Sequence, residues 1–333
     1  METRYTRALL MAPALLGSAA LAACGSGPPS GSSGDTGAAA GLIWVARQGT
    51  GLFGPDTLIA VDPSSAKIRR RVGTEDVWGN LAIGAGGLWS AGSGADLVVR
   101  IDPRSGAADS IALPEGSHPD NVLLAEGSLW VASGGNGKVL RIDPERREVT
   151  ATIDVTEDRS IDDAIRLAAG EGAIWAISLF GRYGLLRIDP ATNSVTDRVE
   201  DVGDGAVAVA VGAGAIWVAS VHDGMVQRVD PETLNVVASI PVGSRPVSVA
   251  VGAGAVWVGK QRDGTVDRID PQTNRVVATF PIGGEPGQLI VAHDAVWVLN
   301  HADQTLARID PAAGEVSAIV ELGNRPLALA AAP

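Results

Sequence analysis

The side chains suited to chemistry are few and widely spaced. Of the four histidines, His222 is followed by Asp223, while His301 follows Asn300 and stands two residues before Asp303. An imidazole near neutrality is a general base, and with a metal beside it such a base could take a proton adjacent to an ester. Lys260 and Arg166 are the cations expected near the same place. Two counts speak against a shared catalytic register: His222 comes five residues after Trp217, whereas His301 comes four after Trp297. Nucleophile elbows, phosphate-binding glycine loops and HExxH helices are absent. The chain has one cysteine, Cys24, which excludes a disulfide framework and any multi-cysteine zinc or iron–sulfur centre. These residues nominate no catalytic group, no metal ligands and no cofactor, so the first question is which elements bring them together.

The chain has 333 residues and carries 26 Lys plus Arg against 38 Asp plus Glu, a net charge of −12. Three of the cations are Lys, and the arginines are spread along the chain. The clustered cations that a phosphate backbone requires are missing, and nucleic acid is not an expected partner. Length alone would indicate about two domains of roughly 150 residues. The sequence instead repeats itself.

Tryptophan, followed in most copies by Val, recurs at Trp44, Trp89, Trp130, Trp175, Trp217, Trp257 and Trp297, and Asp-Pro recurs in step at Asp62, Asp102, Asp143, Asp189, Asp230, Asp270 and Asp310. Two markers, seven copies each, at a period of about 40 to 45 residues with several short strands per unit, indicate the blades of a β-propeller. The fifth unit shows four strands, at residues 206–211 (a), 215–220 (b), 225–230 (c) and 236–242 (d), each a short apolar run bounded by Gly, Pro, Asp or Asn. Glycines at 212 and 214 make the a to b turn and Asp230-Pro231 the c to d turn. The first unit lacks a strand a, whereas residues 325–330 match residues 245–250. The carboxy-terminal strand is therefore expected to complete blade one of an all-β, seven-bladed propeller over residues 42–333 and to remove an open edge.

Arg4 and Arg7 precede an apolar stretch, residues 8–20, of the length of a signal-peptide core and too short to span a bilayer. Leu21-Ala22-Ala23-Cys24 resembles the lipobox of bacterial lipoproteins. That resemblance implies a signal peptide at 1–23, lipidation of Cys24, and attachment to the extracytoplasmic side of the cell membrane by lipid alone. Residues 24–41, rich in Gly and Ser, read as the tether. The chain after residue 23 has 24 cations and 37 acids, a charge of −13.

The run Ile216-Trp217-Val218-Ala219-Ser220, then Val229-Asp230-Pro231-Glu232-Thr233, then residues 236–243 and Pro246, resembles the YVTN repeat of YncE-like propellers. Trp297-Val298-Leu299-Asn300 keeps the Asn of that motif. The resemblance covers residues 42–333 and implies the fold, while leaving function open, because such propellers serve as binding and surface proteins of many kinds. A neighbouring resemblance, carried by the Gly-x-Leu-Trp blade opening, is to the virginiamycin B lyase group. It implies a metal-dependent C–O lyase acting on a streptogramin, and calls for a Glu and His pair at the end of strand b. Asn300-His301 offers the His without that carboxylate, with Asp303 as a substitute.

In such a blade the d to a and b to c loops share one face, and here they hold most of the irregular residues: Trp78, His118, Asp162 and Arg245 in the first set, and Phe53, Phe180, Arg182, Tyr183, His222, Arg262 and His301 in the second. Nine residues before each repeat Trp, on strand a, stand Asn80, Asn121, Arg166, Ala208, Ser248, Gln288 and Ala328. This mostly polar ring either contacts a ligand or hydrates the channel. Three residues after each Trp come Arg47, Gly92, Ser133, Ser178, Ser220, Lys260 and Asn300, expected at the same mouth. Arg141 with Asp143, and Arg187 with Asp189, read as an inter-blade ladder. The expectation is a monomeric binding module whose partner is a small molecule, a peptide or a cell-envelope protein, with acidic ligands disfavoured by the net charge.

Overall fold

The computed structural model describes residues 41–48, 56–74, 79–92, 95–156, 165–178, 184–323 and 325–332. The leader, Cys24, Phe53, Trp78, Asp162, Phe180, Arg182 and Tyr183 lie outside the described residues. Within them, 28 strands form seven four-stranded antiparallel sheets. In blade five the strands are Ala206–Gly212, Ala215–Ser220, Met225–Val229 and Val236–Pro241, each within a residue or so of the ends expected from the sequence.

The inner strands are almost continuously apolar because both faces of each sheet are covered by neighbouring blades. Strand b of blade five, Ala215–Ser220, is buried at every position. The outermost strand meets water along its edge, and there burial alternates, as along Glu148–Asp154. Each described Trp of the repeat is wholly buried, and one apolar cluster joins Trp175 of blade four, Trp217 of blade five and Val258 of blade six. The blades thus share cores with their neighbours. The indole N–H of Trp217 donates to Gly212 O at 3.0 Å, and five other repeat tryptophans donate to the carbonyl five residues back.

The Asp-Pro marker is explained by its turn. The Asp230 carboxylate accepts the N–H groups of Glu232 and Thr233 at 3.0 and 2.8 Å, and Leu234, at φ +59°, donates its N–H to Asp230 O at 2.9 Å. Pro presets φ in this turn, and the register of the two strands shifts by one residue between Arg228 and Val229. Of the expected ladder, Arg141 reaches the next blade, whereas Arg187 pairs with Asp197 of its own blade at 3.8 Å. Arg228 lies 5.4 Å over the Trp217 ring and donates to Pro271 O of blade six at 2.9 Å. Arg141 does the same over Trp130 and to Pro190 O, and Arg268 over Trp257 and to Pro311 O. Asp143 and Asp189 take no part across blades in this set of bonds; their carboxylates accept N–H groups of their own turns.

Pro326–Ala331 pairs with Ile43–Arg47, Trp44 standing opposite Ala330. The carboxy-terminal strand therefore supplies strand a of blade one. Seven such inner strands pack neighbour to neighbour around a closed ring. The chain is a seven-bladed β-propeller. Among the described residues no helix is long and apolar enough to cross a membrane.

Candidate functional site

The polar ring on strand a holds the blades to one another. An innermost strand presents one unpaired edge, and its N–H groups need acceptors. Oδ1 of Asn80 accepts Val122 N–H at 2.6 Å, and Nδ2 of Asn80 donates to Val122 O at 2.9 Å. Asn121 accepts Leu167 N–H at 3.3 Å and Gln288 accepts Leu329 N–H at 2.7 Å. In each case the polar residue of one blade satisfies the apolar residue one register on in the next. Arg166 donates to Asp120 at 3.2 Å and to Ile165 O at 3.3 Å. A backbone N–H can only donate, so the amide oxygens of Asn121 and Gln288 must face it. Their NH2 groups, with the Ser248 hydroxyl, are left buried without a protein partner.

The positions at the end of strand b fasten the d to a loops. Ser220 donates to Val202 O at 2.9 Å, Ser133 to Ser117 O at 2.9 Å, and Asn300 to Ile282 O at 3.0 Å. Lys260 turns into its own blade, where Nζ pairs with the buried Asp267 at 2.9 Å and with Asp263 at 3.8 Å. Its charge is consumed there, and the expected contribution of Lys260 to the channel mouth is replaced by a buried ion pair.

The two loop histidines have different surroundings. His301 is mostly enclosed and its Nδ1 stands 3.0 Å from Pro326 O. A carbonyl only accepts, so Nδ1 carries the proton and Nε2 lies bare against Gly287, where a side chain would collide with it. Burial pushes its pKa below the ordinary histidine value. Asp303 accepts from the Asn300 amide, beside His301, at 3.2 Å. His222 is exposed, and its Nδ1 lies 3.2 Å from Asp204. Asp223, its sequence neighbour, accepts the Asp204 N–H at 2.6 Å. Sequence reasoning missed Asp204; comparing residue 204 with its repeat equivalents, Ser244 and Gly284, would have flagged it.

His222, Arg245 and Arg262 come together. Residues 221–224, residues 243–245 and Arg262 line a cavity of about 680 Å³ between blades five and six, open on the face that carries the irregular loops. Gly224 O accepts the N–H groups of Val242 and Gly243 at 3.0 and 3.1 Å, so the two turns touch backbone to backbone. Any side chain at Gly224 would strike Gly243 O, and Gly243 has φ +92°. The turns are fixed by these contacts while the side chains of His222, Arg245 and Arg262 remain exposed. Among the described residues no three His, Cys, Asp or Glu side chains are grouped to hold a metal ion.

No protein-family model matches the chain, and no curated relative does. Solved structures do. A streptogramin B lyase is similar with a TM-score of 0.65 at 15% identity, over 75% of this chain and 86% of that one. Virginiamycin B lyase from Staphylococcus aureus is similar with a TM-score of 0.60 at 16% identity, over 69% and 80%. Apo AztD from Citrobacter koseri is similar with a TM-score of 0.61 at 12% identity, over 87% and 96%. At these identities the likeness establishes a shared fold.

Proposed function

We propose that this propeller is a lipid-anchored, extracytoplasmic binding module that takes a small molecule, peptide or cell-envelope protein on the face of its d to a and b to c loops. The observation that carries the reading is the open cavity between blades five and six. It has the size of a ligand site, it is walled by turns pinned to each other, and it concentrates three exposed hydrogen-bonding side chains. The lipobox-like sequence before Cys24 supports the anchor. The YVTN-like repeat motif supports a binding role on the surface, by resemblance.

A metal-dependent lyase is the second reading, favoured by the enclosed His301, whose bare Nε2 suits a general base. The donor set does not fit the metal: the described residues offer no group of three ligands, and Asp303 bonds Asn300. Binding is therefore the better-supported function.

Thermal-shift and calorimetric screening of the chain from residue 25 onward separates the two. The panel is small polar molecules, peptidoglycan fragments, short peptides and a cyclic depsipeptide, each with magnesium or with EDTA. Saturable binding weakened by Arg262→Ala is the expected result. Metal-dependent loss of the depsipeptide ester would replace this reading by the lyase, and a panel without any binder would contradict it.

A further inference from the structure

An interaction needed only for folding recurs at the equivalent place in every unit, so departures from the repeat single out positions that folding does not dictate. The b to c turns of blades five, six and seven are equivalent at residues 220–225, 260–265 and 300–305. The d to a turns at 203–205, 243–245 and 283–285 are equivalent as well. At the start of blade five each carboxylate has a local partner: Asp204 lies against His222, and Asp223 accepts the Asp204 N–H. One blade on, Ser244 stands in place of Asp204, Arg262 in place of His222, and Arg245 in place of Gly205. The nearby carboxylate, Asp263, faces Lys260. Among the described residues neither guanidinium has an ion-pair partner. One crevice further, Glu285 and Ala302 occupy the two arginine positions. Arg325 repeats the place of Arg245 ahead of the strand that completes blade one, so it is the pairing of that arginine with Arg262 that belongs to the cavity between blades five and six and not to the repeat.

We infer that this cavity binds an anionic organic molecule whose carboxylate or phosphate is held by Arg245 and Arg262, with His222 on the opposite wall. This rests on the loop-bearing face being the binding face. The guanidinium fork matches both oxyanions in bidentate geometry, and a volume of about 680 Å³ accommodates a ligand body beyond the charged group. The chain's net charge of −12 does not oppose this at contact range. Charges farther than about 8 Å are largely screened at physiological salt; of the near carboxylates, Asp263 faces Lys260, and Asp223, on the blade-five wall of the cavity, accepts the Asp204 N–H.

Titration calorimetry of the full chain with glucose 6-phosphate, gluconate and glucose tests it on one scaffold: a phosphate ester, a carboxylate and an uncharged control. Titrated to about 10 mM, at least one anion binds saturably and glucose does not; which anion binds separates the two chemistries. Arg245→Gln and Arg262→Gln each weaken that binding about tenfold or more, Arg262→Glu abolishes it, and Arg275→Gln, an exposed arginine outside the cavity, leaves it unchanged. All four variants keep the parent melting temperature. Failure of both anions to bind, or an affinity unchanged in the Arg245→Gln/Arg262→Gln double variant, overturns the inference. Should an uncharged glycan or a peptide bind the loop face while neither anion binds, the anion site fails and the binding-face reading stands; should no ligand bind that face, the reading itself fails.

Discussion

The Oε1 of Gln288 accepts the backbone N–H of Leu329 at 2.7 Å, across the seam where blade seven meets the strand that completes blade one. Both residues are buried. Replacing the amide by an isosteric apolar side chain, Gln288→Met, leaves that N–H without an acceptor, at a cost of about 1–3 kcal/mol. Urea unfolding reads this as a lower midpoint with an unchanged slope. Deleting residues 325–333 removes the whole strand, opens the Ile43–Arg47 edge and abolishes the single cooperative transition; a truncated chain with the parent melting curve would contradict the closure.

Lys260 and Asp267 form a buried ion pair at 2.9 Å. Lys260→Met strands the carboxylate and lowers stability by about 3 kcal/mol or more. The double variant Lys260→Met/Asp267→Leu removes both charges and recovers most of that loss. A cycle of the two single variants and the double, measured by chemical denaturation, checks the coupling; additive effects would show that the pair does not interact.

Two titrations shape the pH profile. His301 has a pKa below the ordinary 6.5 because it is buried, so the unfolded chain binds its proton more readily than the folded one. Stability is therefore full above about pH 7 and falls as pH drops through 6.5 toward the folded value. His301→Gln flattens that region. The turn carboxylates are lowered too, in a more acidic range: Asp230, Asp143 and Asp310 first by the N–H of the residue three further on, Asp189 and Asp270 by the residue two further on. Their contribution is present above the unfolded value near 3.9 and is lost as pH falls below it. Melting temperatures from pH 8 to 3 should show two separate declines, of which His301→Gln removes the upper.

The a to b turn of blade seven departs from its repeats. His293 and Asp294 both have positive φ, +51° and +56°, whereas the second position in blade five is Gly214 at +67°. Asp294 is exposed, so Asp294→Gly relieves left-handed strain with no loss of packing and stabilises the protein by about 1 kcal/mol. A melting temperature that does not rise would show that the Asp294 side chain compensates for its backbone.

The fold was legible because its causes are local and repeated. Trp217 and Asp230 each solve a problem, filling the space between sheets and closing a turn, that recurs every 40 or so residues, so spacing alone exposes them. The roles of the polar ring were not legible. Whether Asn121 faces a ligand or a neighbouring backbone depends on the offset between blades, and sequence does not encode that offset locally. Lys260 has a different cause: its partner, Asp267, is on the adjacent strand of its own blade, reached across the sheet face and not through the channel. The candidate site was legible in part. His222, Arg245 and Arg262 stood out as loop residues, but their convergence follows from the packing of blade five on blade six, and the missing carboxylate at Ser244 acquires meaning only beside Asp204.

Soaking crystals of the protein in a library of small polar fragments tests the central claim most directly, because it locates binding without presuming the ligand. Fragments are expected to gather in the cavity between blades five and six, in contact with His222, Arg245 or Arg262. Fragments bound on the face of the c to d turns, with that cavity empty, would contradict the account.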